Sequence, residues 1–194
     1  MSTKEIPTFS LENKDGFKWE LRPTTIDMLE EFHNKVAENG EYLSYWIPTL
    51  HGKDFSVTET FVKNVVANHE KVKQGEPTQY CNHFIFVDGK IIGSIGCLRF
   101  NNETKVAEIG YWIDRNFQGK GIATVSTKVI RDKIAFELLG LKTAELHCAD
   151  GNTASQNVAK RLNPDRTFYA DCDPIPIRGI NYRLVVYAFD NKLN

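Results

Sequence analysis

Residues 117–124 read Phe117-Gln118-Gly119-Lys120-Gly121-Ile122-Ala123-Thr124 and lie between two runs of different periodicity. Before them, Val106-Ala107-Glu108-Ile109-Gly110-Tyr111-Trp112-Ile113 alternates like a strand. After them, Ile122, Val125, Val129 and Phe136 form one apolar stripe, and Ala123, Ile130, Ile134 and Leu138 form a second. Two stripes make a wide apolar face, so this helix is expected to lie against a sheet. The first amides of a helix have no partner within it, and the macrodipole places partial positive charge there. Gly119 and Gly121 have no Cβ, so a phosphate can come close to the backbone. A strand, a glycine turn and a helix in this order predict a phosphate-bearing ligand.

Two common phosphate loops do not fit. A P-loop needs Lys-Ser/Thr after its second glycine, and Gly121 is followed by Ile122-Ala123. The dinucleotide fingerprint needs three glycines and a downstream acid, and only two glycines are present.

The chain of 194 residues is expected to be one domain over 16–194 after a loose N-terminus over 1–15. Its net charge of −1 argues against nonspecific nucleic-acid binding, and no apolar stretch is long enough for a membrane helix. Lys4, Glu5 and Pro7 interrupt any signal-peptide shape. Cys81, Cys97, Cys148 and Cys172 show no C-x-x-C pairing, which predicts a reduced, cytoplasmic protein. His33, His51, His69, His83 and His147 are scattered without metal-ligand spacing, so each reads as a surface or core residue and no metal is expected. Nothing in the sequence fixes the oligomeric state.

Along the chain, a strand is expected at 17–21, then a helix from Thr24 that Asn39-Gly40 ends. A second helix follows the capping box Ser56-x-x-Glu59 and closes near Gln74-Gly75-Glu76-Pro77. Phe84-Ile85-Phe86-Val87, Asp88-Gly89 and Ile91-Ile92-Gly93-Ser94-Ile95 predict a hairpin leading to the strand at 106–113. Beyond the long helix come a strand at 143–149, a helix at 152–162 stopped by Asn163-Pro164, and strands at 166–172 and 182–189. The fold class is α/β, a mixed and mostly antiparallel sheet of about seven strands flanked by about four helices.

The segment Gln118-x-x-Gly121-x-Ala123 resembles the pyrophosphate loop of the GNAT acyltransferases. Ala107 to Ile113, Asn152-x-x-Ser155-x-x-Val158-Ala159 and the closing Val185-Val186-Tyr187-Ala188 resemble the branch that acetylates the N-terminal serine or alanine of ribosomal proteins. The resemblance runs from about Trp19 to Phe189 and implies acetyl-CoA as co-substrate with direct attack by a primary amine. It implies that Gln118, Gly119, Lys120, Gly121, Ile122, Ala123 and Thr124 hold the pyrophosphate. The pantetheine arm would then pair with backbone at Trp112 and Ile113 and meet Asn152 and Ser155. Ser155 is the candidate acid for the departing thiolate, because the position where many relatives carry Tyr is Ala159. Glu108 is the candidate base and acceptor contact, and Tyr45 and Trp46 are expected to border the acceptor cleft.

The residues alone also allow plainer roles. Asn152 can be a helix cap, Ser155 a first-turn residue, Lys120 a solvated cation, and Glu108 the partner of Arg99 or Arg183. Tyr45 and Trp46 can simply cover the end of the core. The chain departs from the resemblance at Ile175, where a late Glu is usual, with Asp171 and Asp173 as stand-ins. It departs again in the long segment after Arg161, which lacks the usual Gly-Phe. A catalytically silent acyl-CoA-binding module is the alternative these departures leave open.

Overall fold

The computed structural model describes residues 4–47 and 54–192; Pro48, from the aromatic segment after the first helix, and His51 lie outside them. Strands β1 (Phe9–Glu12) and β2 (Lys18–Pro23) open the fold, followed by helices α1 (Leu29–Trp46) and α2 (Phe55–Gln74). A meander of β3 (Cys81–Val87), β4 (Lys90–Asn101) and β5 (Val106–Ile113) leads to helix α3 (Ile122–Val129), which continues as a π-helical segment, Ile130–Leu138. Then come β6 (Thr143–Ala149), α4 (Thr153–Arg161), β7 (Arg166–Tyr169), the small hairpin β8 (Ile175–Ile177) and β9 (Ile180–Tyr182), and finally β10 (Leu184–Asp190).

Eight strands form one sheet in the order β1-β2-β3-β4-β5-β6-β10-β7, and β8 and β9 stand apart. Its described pairs are antiparallel except β5 with β6, which the α3 crossover joins in parallel. One core lies under α3, where Ile109, Ile130, Ile134, Leu146 and Phe189 pack together. The other lies under α1 and α2, where Phe32, Val36, Val62, Phe84 and Trp112 meet. The alternation of β5 thus feeds both cores: Ala107 and Ile109 go to the first and Trp112 to the second.

Several expectations need correction. Asn39-Gly40 does not end α1. The Asn39 side chain is buried, donates to Lys35 O at 3.1 Å and accepts from Arg115 N at 3.2 Å, and Leu43 is buried one turn later. That packing outweighs the ~1 kcal/mol cost of a helical glycine. The cap of α2 is Asp54, whose carboxylate accepts from Ser56 N at 2.8 Å; Glu59 pairs instead with Lys63. Residues 9–12, expected in a loose N-terminus, pair with β2, and Lys4 N donates to Lys73 O at 3.1 Å. The β8–β9 hairpin lies in a stretch read from the sequence as loop.

Candidate active site

The site begins where two strands part. β5 stays paired to β4 as far as Ile113, and β6 stays paired to β10 as far as Ala149. Between them, pairing joins Val106, Ala107 and Glu108 to Thr143, Ala144 and Glu145 and ends there. Residues 109–113 and 146–149 therefore face each other across a gap with free backbone edges. An extended ligand can enter such a gap as an extra strand would. Trp112 and Ile113 lie on its β5 wall.

The glycine turn closes one end. Gly119 and Gly121 have φ of +76° and +78°, and nothing lies within 4 Å of where a Cβ would be at either. Gly121 is the N-cap of α3 and has no side chain with which to cap it. The amides of Ile122, Ala123 and Thr124 thus lack helical acceptors, in front of open space that a phosphate can fill. The turn is tethered at both sides. Gln118 Nε2 donates to the Tyr42 hydroxyl on α1, Asn13 Nδ2 donates to Lys120 O at 2.9 Å, and Lys120 Nζ lies 4.9 Å from the centre of the Phe17 ring.

Helix α4 closes the gap from the other side. Asn152 Oδ1 accepts from Ser155 N at 3.1 Å, which makes it the cap of this helix. Ser155 Oγ lies 3.2 Å from the Tyr111 hydroxyl and 3.1 Å from Cys148 Sγ, so one side chain joins both walls. Burial raises the Tyr111 phenol above its ordinary range, and the hydrogen bond to Ser155 only partly opposes this. Tyr111 therefore stays protonated. Burial likewise raises the Cys148 thiol, Ser155 lowers it, and the Glu108 charge adds to the rise. A neutral buried thiol is a poor nucleophile, which disfavours a covalent acyl-cysteine route. Strand alternation already put Tyr111 on the face away from Glu108, but its link to Ser155 needed the fold.

Glu108 lies at the last paired rung, on the sheet face opposite Tyr111. Its carboxylate is 3.1 Å from Arg99 Nη1 and 3.8 Å from His147 Nδ1; His147 Nε2 is 2.8 Å from Glu145 Oε2. Of the two partners the sequence suggested, Arg99 is the one found, while Arg183 pairs with Asp150. Tyr45 and Trp46 end α1 and meet the hairpin. Tyr45 OH lies 3.2 Å from Tyr182 OH, and Trp46 packs edge-on against the Tyr182 ring at 5.4 Å. Tyr182 in turn covers Gly151, where a Cβ would sit 2.1 Å from the ring. The hairpin thereby fastens α1 to the start of α4. Ile175, where the chain departs from the resemblance, is in β8, and Asp171 and Asp173 precede it.

The acetyltransferase (GNAT) domain family matches residues 18–163. The chain belongs to the GNAT acetyltransferases. It is 34% identical over 143 residues to the ribosomal-protein-serine acetyltransferase of Escherichia coli, covering 73% of this chain and 76% of that one. It is 26% identical over 168 residues to YdaF of Bacillus subtilis, covering 87% of each. An acetyltransferase from Salmonella typhimurium that modifies the N-terminal serine of ribosomal protein L7/L12 shares the fold, with a TM-score of 0.72 at 21% identity over 90% of this chain and 95% of that one. The GNAT domain makes this chain an acyltransferase that moves an acetyl group from acetyl-CoA to a primary amine. Among the described residues no group of three or more His, Cys, Asp or Glu could hold a metal ion, and no helix is long and apolar enough to cross a membrane.

Proposed function

We propose that this GNAT enzyme acetylates the α-amine of a protein N-terminus, in the cytoplasm, by direct attack within the β5–β6 gap. The gap itself supports the reading, because it has free strand edges, adjoins an open glycine turn, and has the Ser155–Tyr111 pair joining its walls. The open amides of residues 122–124 hold the pyrophosphate, with Gln118, Gly119, Lys120 and Gly121 shaping the turn. Backbone at Trp112 and Ile113 takes the pantetheine arm, and Asn152 fixes the start of α4 beside it. Bound acetyl-CoA supplies a thioester carbonyl and a thiolate leaving group. Ser155 donates a proton to the sulfur and is replenished by Tyr111. Glu108 takes the proton from the amine. Tyr45 and Trp46, held by Tyr182, form the rim that an acceptor chain crosses.

The acceptor class rests on the relatives, among them the acetyltransferases of Escherichia coli and Salmonella typhimurium that act on ribosomal-protein serine. Free-thiol release with acetyl-CoA tests it across peptides beginning with Ser, Ala and Met, polyamines, amino acids and aminoglycosides. Turnover concentrated on the peptides is expected; turnover confined to a small amine would replace the acceptor assignment. CoA binding without turnover on any amine would favour the silent-module alternative.

Ser155→Ala is expected to lower kcat by about 100-fold, within the range for a positioned acid, and to leave acetyl-CoA affinity within about twofold. Steady-state rates and calorimetric titration of CoA check both halves. An unchanged kcat would leave Ser155 as a first-turn helix residue only.

A further inference from the structure

Arg99, Glu108, His147 and Glu145 line a cavity of about 340 Å³ at the point where β5 and β6 separate. Glu108 and Glu145 are direct partners across the last parallel rung, so two carboxylates stand side by side. Like charges so placed repel, and a fold that keeps them needs something between them. His147 is that group, with Nε2 at 2.8 Å from Glu145 and Nδ1 at 3.8 Å from Glu108. The outer ends of the cluster are cationic. Arg99 reaches Glu108 from β4, where it lies in an irregularity of the β4–β5 register and has φ of +51°. Bulges of this kind re-aim side chains beside functional sites. On the far side Arg166 of β7 lies in the same cross-sheet row, opposite Ala188, which faces Glu145, and is itself paired with Asp190 at 2.7 Å.

The Glu145 contact orients the ring. A carboxylate only accepts, so Nε2 carries a hydrogen toward Glu145, and in the neutral ring Nδ1 then presents its lone pair toward Glu108. A third group that orients an imidazole toward a second is the arrangement by which enzymes make a ring receive a proton in one direction. The reaction has such a proton to dispose of. An ammonium acceptor loses two N–H protons when it becomes an amide; the leaving thiolate takes one, and the other must reach solvent.

We propose that His147, oriented by Glu145, is the outlet for that second proton. This rests on Glu108 being the base that faces the acceptor. Glu108 takes the N–H proton and becomes a carboxylic acid. It passes the proton to Nδ1, across a gap that a shift of less than about 1 Å brings to hydrogen-bond range. The imidazolium, held between two carboxylates, loses the same proton to water in the cavity and returns to its starting tautomer. His147 is a positioning and relay residue here and does not touch the acceptor. The charged and titratable groups around it are Arg99 on β4, Glu108 on β5, Glu145 and Cys148 on β6, and Arg166 on β7.

The test compares the wild-type enzyme with Glu108→Gln, Glu145→Gln, His147→Gln and His147→Ala on one peptide acceptor. His147→Gln and Glu145→Gln are each expected to lower kcat about tenfold, as loss of an orienting partner does, with the KM for acetyl-CoA within about twofold. The double variant should be no slower than His147→Gln, because the two residues act as one unit. Imidazole in the buffer should restore part of the rate to His147→Ala and none to His147→Gln, and rescue by substituted imidazoles should follow their pKa, an effect that a purely structural role cannot produce. Nitrogen NMR of the neutral ring should show the Nε2–H tautomer in the wild type, a measurement that needs no substrate. An Nδ1–H tautomer, an unchanged kcat in His147→Gln, or a fall in kcat without imidazole rescue would each overturn the relay. A normal rate in Glu108→Gln would remove the base assignment on which the relay stands. A fall there with none in His147→Gln would remove the relay alone.

Discussion

Gly121→Glu is expected to abolish acetyl-CoA binding. Two effects act together at this position. Gly121 has φ of +78°, a region that costs other residues ~1–3 kcal/mol. The new carboxylate would also project into the open space in front of the amides of Ile122, Ala123 and Thr124, where the pyrophosphate is proposed to sit. Two unit charges about 4 Å apart repel by ~4 kcal/mol at an effective dielectric near 20, which corresponds to about a thousandfold in affinity. Gly121→Ala separates the two effects, since it adds backbone strain without charge or reach. Calorimetric titration of CoA should therefore show a modest loss for Ala and none of the wild-type binding heat for Glu, with thermal unfolding curves showing both variants folded. Wild-type affinity in Gly121→Glu would mean that the ligand's phosphates lie elsewhere.

The shape of that turn could be read in the sequence because its determinants are local. Two glycines, the change from period two to period 3.6 and the uncapped helix start lie within about twenty residues. The Asn152–Ser155 pair was legible for the same reason, since a cap and its acceptor amide are set by spacing along one helix. The β8–β9 hairpin was not legible. Its strands are three residues each, and the prolines and acids around it look like loop, whereas Tyr182 is held by Tyr45, Trp46 and Gly151, all distant in sequence. The end of α1 was misread because Asn39-Gly40 is a stop signal only when the Asn side chain is free to leave the helix, and here it is engaged by Arg115. His147 read as an isolated histidine because its partner on β5 comes from parallel pairing across the α3 crossover. Alternation along each strand gives the face of Glu108 and the face of His147 but not the register that sets them side by side. The cluster around Glu108 thus depends on the one parallel pairing among the described residues, and so does the gap that opens immediately beyond it.

Mild acid should destabilise the protein before most of its carboxylates titrate, and two buried histidines, His69 on α2 and His83 on β3, are the groups responsible. His69 and His83 are 4% and 0% exposed. Burial lowers the His69 imidazole from 6.5 to about 4, helped by the nearby Lys73 charge and opposed by a backbone bond at Thr24 and the Glu70 charge. Burial also lowers His83 to about 4, with a bond to Pro7 O opposing the shift and His69 adding to it. The contacts explain why neither ring accepts a proton easily. His69 Nε2 accepts from Asn82 N at 3.2 Å, so protonation there would break a buried bond, and His83 Nδ1 is buried without a partner. The sign follows from proton uptake. Between pH 6.5 and 4 the unfolded chain binds protons at both rings while the folded chain does not, so stability is full above 6.5 and falls as pH drops toward 4. At pH 4.5 the loss is about 2–3 kcal/mol per ring, a large share of a typical total of ~5–15 kcal/mol. Urea unfolding at pH 7 and pH 4.5 should show that difference in the wild type. His69→Gln keeps a carbonyl acceptor for Asn82 N, and with His83→Gln it should flatten most of the pH dependence, at some cost in stability at pH 7 for imperfect packing. Equal stability at the two pH values in the wild type would mean that both rings take up protons in place, and the burial argument would fail.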